Sequence, residues 1–474
     1  MYVISGLTPA RASSMHMDRA FDGRVDGHVY AQPLVFNKAG RELLLVATEN
    51  NVVDALDART GSPIWKKSLG QAVTSAMLPC GNIDPLGITG TPVIDEPRDA
   101  IYLDAMVLTQ DGPQHLVFGL SLDKGQPLAG FPVNVARALA ANGMHFIPRE
   151  QNQRGALLIA KNTVYIPYGG HFGDCGHYHG WVVGISLDDA HRVTAWGTRA
   201  VGGGIWAPAG IVSDGHSLFV ATGNTFGADS VVAGLWSRLS RIRGVPRYGR
   251  DADWGGGEAV IRYDPELKPP ASGRDYFAPR DWQTLDDRDA DLGGTNPILL
   301  NVGRSHLVLG LGKDAKAYLL DRDNLGGIGG ALAIQEVSGE SIITAPATYP
   351  APNGDAFVAL HSLGSNCPAP ISDPSLIVLR IQAQPAPAIS TAWCGSLEGA
   401  GAPIVTTTDG HSNPIVWIVG AEGDNRLHAF RGDNGEPILG SQPRMQGLRH
   451  FATIVITQDR LFVPGDGRIY AFTP

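Results

Sequence analysis

The chain has 474 residues and a net charge of -9, so it offers no electrostatic partner to nucleic acid or to an anionic membrane surface. Only 18% of residues are charged against 43% apolar, with 60 glycines and 33 prolines, the profile of an all-β chain with many tight turns. It lacks the uninterrupted apolar run of about 18 residues that would cross a bilayer.

The N-terminus, Met1-Tyr2-Val3-Ile4, has neither the basic start nor the long apolar stretch of a secretion signal. Either the protein is cytoplasmic or its numbering begins after a removed leader. Then a unit recurs: an apolar strand, a turn, a second strand, and Asp with Thr-Gly and Trp. Its clearest copy runs from Leu43 through Asp57 to Thr60-Gly61 and Ile64-Trp65. Further copies contain Gly184 to Asp188, Ile261 to Asp264, Tyr318 to Asp321, Leu427 to Phe430 and Ile469 to Phe472. About eight copies are discernible, each somewhat longer than the ~40–50 residues usual for propeller blades. The reading is an eight-bladed β-propeller in one domain over 1–474, with seven blades possible because the copy near Cys367 is degenerate. The last copy stops after Phe472, so a strand from the N-terminus is expected to complete it and close the ring.

Four cysteines stand at Cys80, Cys175, Cys367 and Cys394, none in a CxxC pattern, which excludes covalent c-type haem and thioredoxin-like chemistry. Of three pairings, Cys80–Cys175 and Cys367–Cys394 are favoured, each cysteine lying in a Gly- or Pro-rich loop; four buried free thiols are the alternative. Disulfides imply an oxidising compartment, periplasmic or secreted. Between the first two cysteines, Gly87 to Pro92 reads as an inner-strand entry loop, while His145, Gln151 and Gln153 lie in a loop before the third copy.

Gly169 to Trp181 holds three histidines, His171, His177 and His179. His177 and His179, two apart, share one face of a strand, and with His171 and Asp174 they form a compact set of candidate ligands. Imidazole suits zinc, copper, iron or nickel; the alternative is that the histidines cap loops around Cys175. Gly202-Gly203-Gly204-Ile205-Trp206 follows, and Leu218 to Asn224 ends an apolar strand in a Thr-Gly-Asn turn. Ser230 to Gly244 reads as a helix with Val232, Leu235, Trp236, Leu239 and Ile242 on its apolar face. It belongs to an insertion over 228–255, either a lid or a surface decoration. As a lid, its Arg238, Arg241 and Arg243 would favour an anionic substrate. Glu258 follows Gly255-Gly256-Gly257 and has reach to the ring centre. Asp287, Asp289 and Asp291 alternate before Gly293-Gly294, and Lys313 follows Gly312.

The Asp-x-x-Thr-Gly-x-x-x-Trp wording of the repeat, the Gly-rich segment before Trp206 and the Thr-Gly-Asn turn resemble the quinoprotein alcohol dehydrogenase-like propellers with pyrroloquinoline-quinone-type repeats. The resemblance spans nearly the whole chain. It implies a quinone resting on Trp206, calcium held by Asn224, Lys313 against the quinone oxygens, and Asp291 as general base. It also implies a departure: His171 stands where the family has a calcium-binding glutamate, and calcium takes oxygen ligands. The family's adjacent-cysteine disulfide and its cytochrome domain are absent from the sequence. Three functions follow as expectations: an oxidoreductase-like enzyme on a small, possibly anionic molecule; a metal-assisted lyase or hydrolase on an anionic substrate; or a non-catalytic binding or scaffold propeller.

Overall fold

The computed structural model describes residues 1–38, 40–226, 254–364 and 366–474. Eight antiparallel sheets follow one another along the chain and form an eight-bladed propeller, built from consecutive segments of the sequence. The first blade comprises Leu34–Lys38, Arg41–Ala47, Val52–Asp57 and Pro63–Ser68. The second and third begin at Val93–Asp95 and Leu158–Ala160. The fourth is Val212–Ser213, Leu218–Thr222, Ala259–Tyr263 and Tyr276–Ala278. The fifth begins at Ile298–Val302, and Gly327–Ile328, beyond its third strand, crosses over to pair with the fourth. The sixth begins at Ala347–Pro350, so the degenerate copy near Cys367 is a blade, and the count is eight.

The ring closes as the truncated last repeat requires. His16–Met17 pairs antiparallel with Arg468–Thr473, placing His16 opposite Thr473 in the eighth blade. Tyr2–Val3 additionally lies parallel to Ile404–Thr407 of the seventh. Two N-terminal strands thus bind blades formed by the last seventy or so residues, and neither blade keeps an open edge there.

The repeat's wording has a physical origin. Asp57 Oδ1 accepts hydrogen bonds from the Arg59 and Thr60 amides at 3.0 and 3.1 Å, fixing the turn after the third strand. Gly61 at φ +73° turns the chain where a Cβ would meet the Gly23 amide. Trp65 then reaches the next blade, its Nε1 donating to the Leu122 carbonyl at 2.9 Å. Trp393 of the sixth blade does the same to Gly432 of the seventh at 2.9 Å. Middle strands are apolar on both faces because each face packs on a neighbouring blade: Leu309, Leu311 and Leu319 of the fifth meet Val358, Leu360 and Ile377 of the sixth, all buried.

Both disulfides form with the favoured pairing, Cys80–Cys175 and Cys367–Cys394. No described helix is long and apolar enough to cross a membrane. The insertion expected over 228–255, with its helix near 230–244, lies outside the described residues except for Trp254 and Gly255.

Candidate functional site between the fourth and fifth blades

Trp206, Asn224, Asp291 and Lys313 stand far apart in sequence and come together in space. Each belongs to a segment leading into or out of a first or second strand, the part of a blade that borders the central channel. The glycine run makes the approach: Gly203 donates to the Asn224 carbonyl at 2.6 Å, and Gly223 donates to the Gly204 carbonyl at 3.0 Å. Trp206 is thereby laid beside the Thr-Gly-Asn turn. On the other side, helix Trp282–Arg288 ends at Asp289, whose left-handed φ of +53° redirects the chain so that Asp291 faces the turn.

Asp291 is the centre of this cluster, with a side chain only 3% exposed. Its Oδ1 accepts from the Asn224 amide at 2.9 Å, and its Oδ2 accepts from Trp206 Nε1 at 3.1 Å. Lys313 Nζ lies 2.7 Å from Oδ2 and 2.9 Å from Asp289 Oδ1, while the Lys313 amide donates to the Asp291 carbonyl at 2.8 Å. Burial alone would lower the Lys313 pKa; the charges of Asp291 and Asp289 outweigh it and hold the ammonium above its ordinary value. The ammonium also stands 5.2 Å from the centre of the Trp206 ring, a cation–π distance. Of the three alternating aspartates, the structure brings Asp291 and Asp289 to the site, and Asp287 is exposed.

Three further carboxyls surround the pair. Asp174, bonded by the Tyr178 hydroxyl at 2.6 Å, is pushed up to about 6 by burial and then by the charge of Asp291. Asp286 accepts from the Thr225 amide and hydroxyl at 2.7 and 2.9 Å, yet burial lifts it to about 7. Glu258 is fully buried and held well above the usual carboxylate range by burial, then by Asp291 and Asp286. Its Oε2 accepts the Leu292 amide at 2.6 Å, and its Oε1 has no hydrogen-bond partner. Sequence reasoning had marked Glu258 only for its reach and had passed over Asp286; the preceding three glycines were the available signal, since backbone without side chains leaves room for a buried carboxyl.

The expected metal set does not assemble. His171 Nε2 donates to the Arg149 carbonyl at 3.0 Å, and burial lowers its pKa to about 4, so it is neutral. His179 Nδ1 donates to the Thr198 carbonyl at 2.9 Å, and the His177 amide donates to Glu150 Oε2 at 2.7 Å. Asp174 is engaged by Tyr178. Among the described residues, no three His, Cys, Asp or Glu side chains gather as a group that could hold a metal ion. The His171 and His179 rings each turn to a backbone carbonyl of a different loop, and Asp174 turns to Tyr178. Calcium takes oxygen ligands, and beside Asn224 both Asp291 oxygens already accept donors, Oδ1 from the Asn224 amide and Oδ2 from Trp206 and Lys313. A quinone finds more of what it needs, because Trp206 offers a half-buried ring and Lys313 a cation beside it.

The same architecture occurs in solved structures. A quinohemoprotein alcohol dehydrogenase from Pseudomonas putida superposes with a TM-score of 0.66 at 12% identity, over all of this chain and 78% of that one. A second, from Comamonas testosteroni, gives 0.64 at 15% identity over 100% and 78%. A europium-containing methanol dehydrogenase gives 0.66 at 12% identity over 100% and 95%. BamB from Moraxella catarrhalis gives 0.55 at 11% identity. No protein-family model and no curated protein sequence matches the chain. At these identities the likeness shows the fold alone, a β-propeller like those of the quinoprotein dehydrogenases.

Proposed function

We propose that the chain is an extracytoplasmic, quinoprotein-like propeller enzyme that acts on a small molecule at the Trp206–Asp291–Lys313 site, and that this site works without calcium. The observation that supports this reading is the convergence of Trp206 Nε1 and Lys313 Nζ on Asp291 Oδ2, at 3.1 and 2.7 Å. Two disulfides support an oxidising compartment.

Trp206 and Lys313 are the residues that would hold a pyrroloquinoline quinone, and when bound it supplies a two-electron acceptor. The chain's own residues do the rest. Lys313 stabilises negative charge on an oxygen that approaches it, because the ammonium is fixed in place by two carboxylates before any substrate arrives. Asp291, whose Oδ1 accepts only the Asn224 amide, has a lone pair left to orient a substrate hydroxyl. Asp174, raised to about 6, is the carboxyl that exchanges a proton near neutral pH.

Equilibrium dialysis against pyrroloquinoline quinone tests this, read by the absorbance retained on wild type and on Trp206→Ala, each with calcium and with chelator. The reading expects retention by wild type that does not depend on calcium and is lost in Trp206→Ala. Absence of retention under every condition overturns it. In that event a binding propeller without catalysis is the reading left.

A further inference from the structure

On the opposite arc of the ring, the segments entering the eighth, first, second and third blades bring together a second polar cluster. Arg154 precedes Leu158–Ala160, Tyr30 precedes Leu34–Lys38, Glu49 follows Arg41–Ala47, and Arg449 and Phe451 precede Val455–Ile456. In an eight-fold ring the entries of the eighth and first blades face those of the fourth and fifth, and Arg154 reaches them from the third.

The two arginines differ in one respect. Arg449 is bound to Asp466 at 2.6 Å and to His28 at 3.2 Å, so its charge is answered. Arg154 is half-buried, lies 4.3 Å from the centre of the Phe451 ring, and makes no hydrogen bond or ion pair with any described residue. Phe451 holds this position at a φ of +69°, a strained conformation for a bulky residue. Burial lowers the Arg154 pKa to about 10, with Tyr30 and Glu49 opposing, so the guanidinium stays charged at neutral pH. Glu49 does not cancel it. It is fully buried, its Oε2 accepts the Gly87 amide at 2.7 Å, its Oε1 has no partner, and burial pushes it up to about 7. A protonated Glu49 is a hydrogen-bond donor, which the unpartnered oxygen leaves free to act.

We propose that Arg154, with Tyr30 and Glu49 beside it, forms a subsite for a carboxylate group of the small molecule that enters the channel. A guanidinium held over an aromatic ring keeps its paired N–H groups for a ligand, and two parallel N–H groups are the geometry a carboxylate accepts. A single free guanidinium next to a carboxyl that ionises near neutral pH disfavours a phosphate dianion. The proposal narrows the substrate class of the function proposed above to an organic acid; it is read by binding alone, so either can fail without the other.

Calorimetric titration of the quinone-free protein with glycolate at physiological salt tests it, with ethylene glycol and inorganic phosphate as the contrasting probes. Saturable glycolate binding is expected at pH 6, at least tenfold weaker in Arg154→Gln and partly kept in Arg154→Lys. Ethylene glycol and phosphate are expected to bind more weakly than glycolate. Affinity falls from pH 6 to pH 8 as Glu49 ionises among Arg154, Arg449, Tyr30, Asp466 and His28, and Glu49→Gln removes that fall. Equal affinity in Arg154→Gln, tighter binding of phosphate, or no saturable binding in wild type overturns the proposal. Should Arg154→Gln not fold, the pH slope in wild type against Glu49→Gln decides it.

Discussion

Replacing Lys313 by methionine isolates the contribution of the ammonium. Asp291 has 3% of its side chain exposed and Lys313 has 20%, so solvent screens this pair little. Methionine keeps most of the stem and removes the charge, leaving Asp291 with two neutral donors. Removing one partner of a buried pair typically costs about 3–5 kcal/mol, and the partial exposure of Lys313 places this case near the lower end. At about 2.1 cal/mol/K of unfolding entropy per residue, 474 residues give about 1 kcal/mol per degree. The expected loss is therefore about 3 °C in melting temperature by calorimetry at a fixed scan rate. Asp291→Asn in the Lys313→Met background is expected to recover part of it, because a neutral amide needs no counter-charge. Lys313 has a raised pKa in the folded protein, so its stabilisation is complete below the unfolded lysine pKa and disappears as pH rises through the folded value. The loss in Lys313→Met should then be the same at pH 6 and pH 8. A melting temperature unchanged within a degree, or strictly additive losses in the double variant, would refute the claim that the ammonium neutralises Asp291.

Asp286, raised to about 7, keeps its proton on folding, so it costs stability as pH climbs from the unfolded carboxylate range to 7; Asp286→Asn should melt higher than wild type at pH 7.5 and not at pH 4, in paired thermal scans. The sequence separations of the two disulfides are 95 and 27 residues. The chain-entropy account then gives about 4.7 and about 3.6 kcal/mol for their removal. Denaturant midpoints of Cys80→Ser/Cys175→Ser should accordingly fall below those of Cys367→Ser/Cys394→Ser. A Cβ on Gly293 would stand 2.6 Å from the Thr222 carbonyl carbon and 2.7 Å from the Gly223 nitrogen. Gly293→Ala should thus move the Thr-Gly-Asn turn away from Asp291 and weaken any ligand held at Trp206, visible as lost tryptophan quenching on titration.

What was legible in the sequence was local. Asp57, Thr60-Gly61 and Trp65 announce the blade because the turn, the capping carboxylate and the inter-blade tryptophan lie within nine residues of one another. Trp206, Asn224, Asp291 and Lys313 were singled out by the resemblance of the short segments that carry them, not by the repeat, and their spatial convergence could not be read from separations of up to about a hundred residues. The blade near Cys367 was obscured by register shifts between Pro374 and Leu376 and between Val378 and Leu379, which break its alternation. The spacing of His171, His177 and His179 carries no record of the Arg149 and Thr198 carbonyls that His171 and His179 meet, so it could not separate loop-capping histidines from a ligand set. Arg154 passed unmarked for the converse reason: its distinction is the partner it lacks, and that depends on what three other blades do not offer.

The central proposal is a redox site at Trp206, Asp291 and Lys313 that works without calcium. The measurement that meets it most directly is oxidation of a panel of small alcohols and hydroxy acids by quinone-loaded protein, followed with an artificial electron acceptor, in chelator and in calcium. Turnover that is equal in both and is lost in Asp291→Asn and Lys313→Met is the predicted result. Turnover that appears only with calcium, or none with any substrate despite bound quinone, would contradict it.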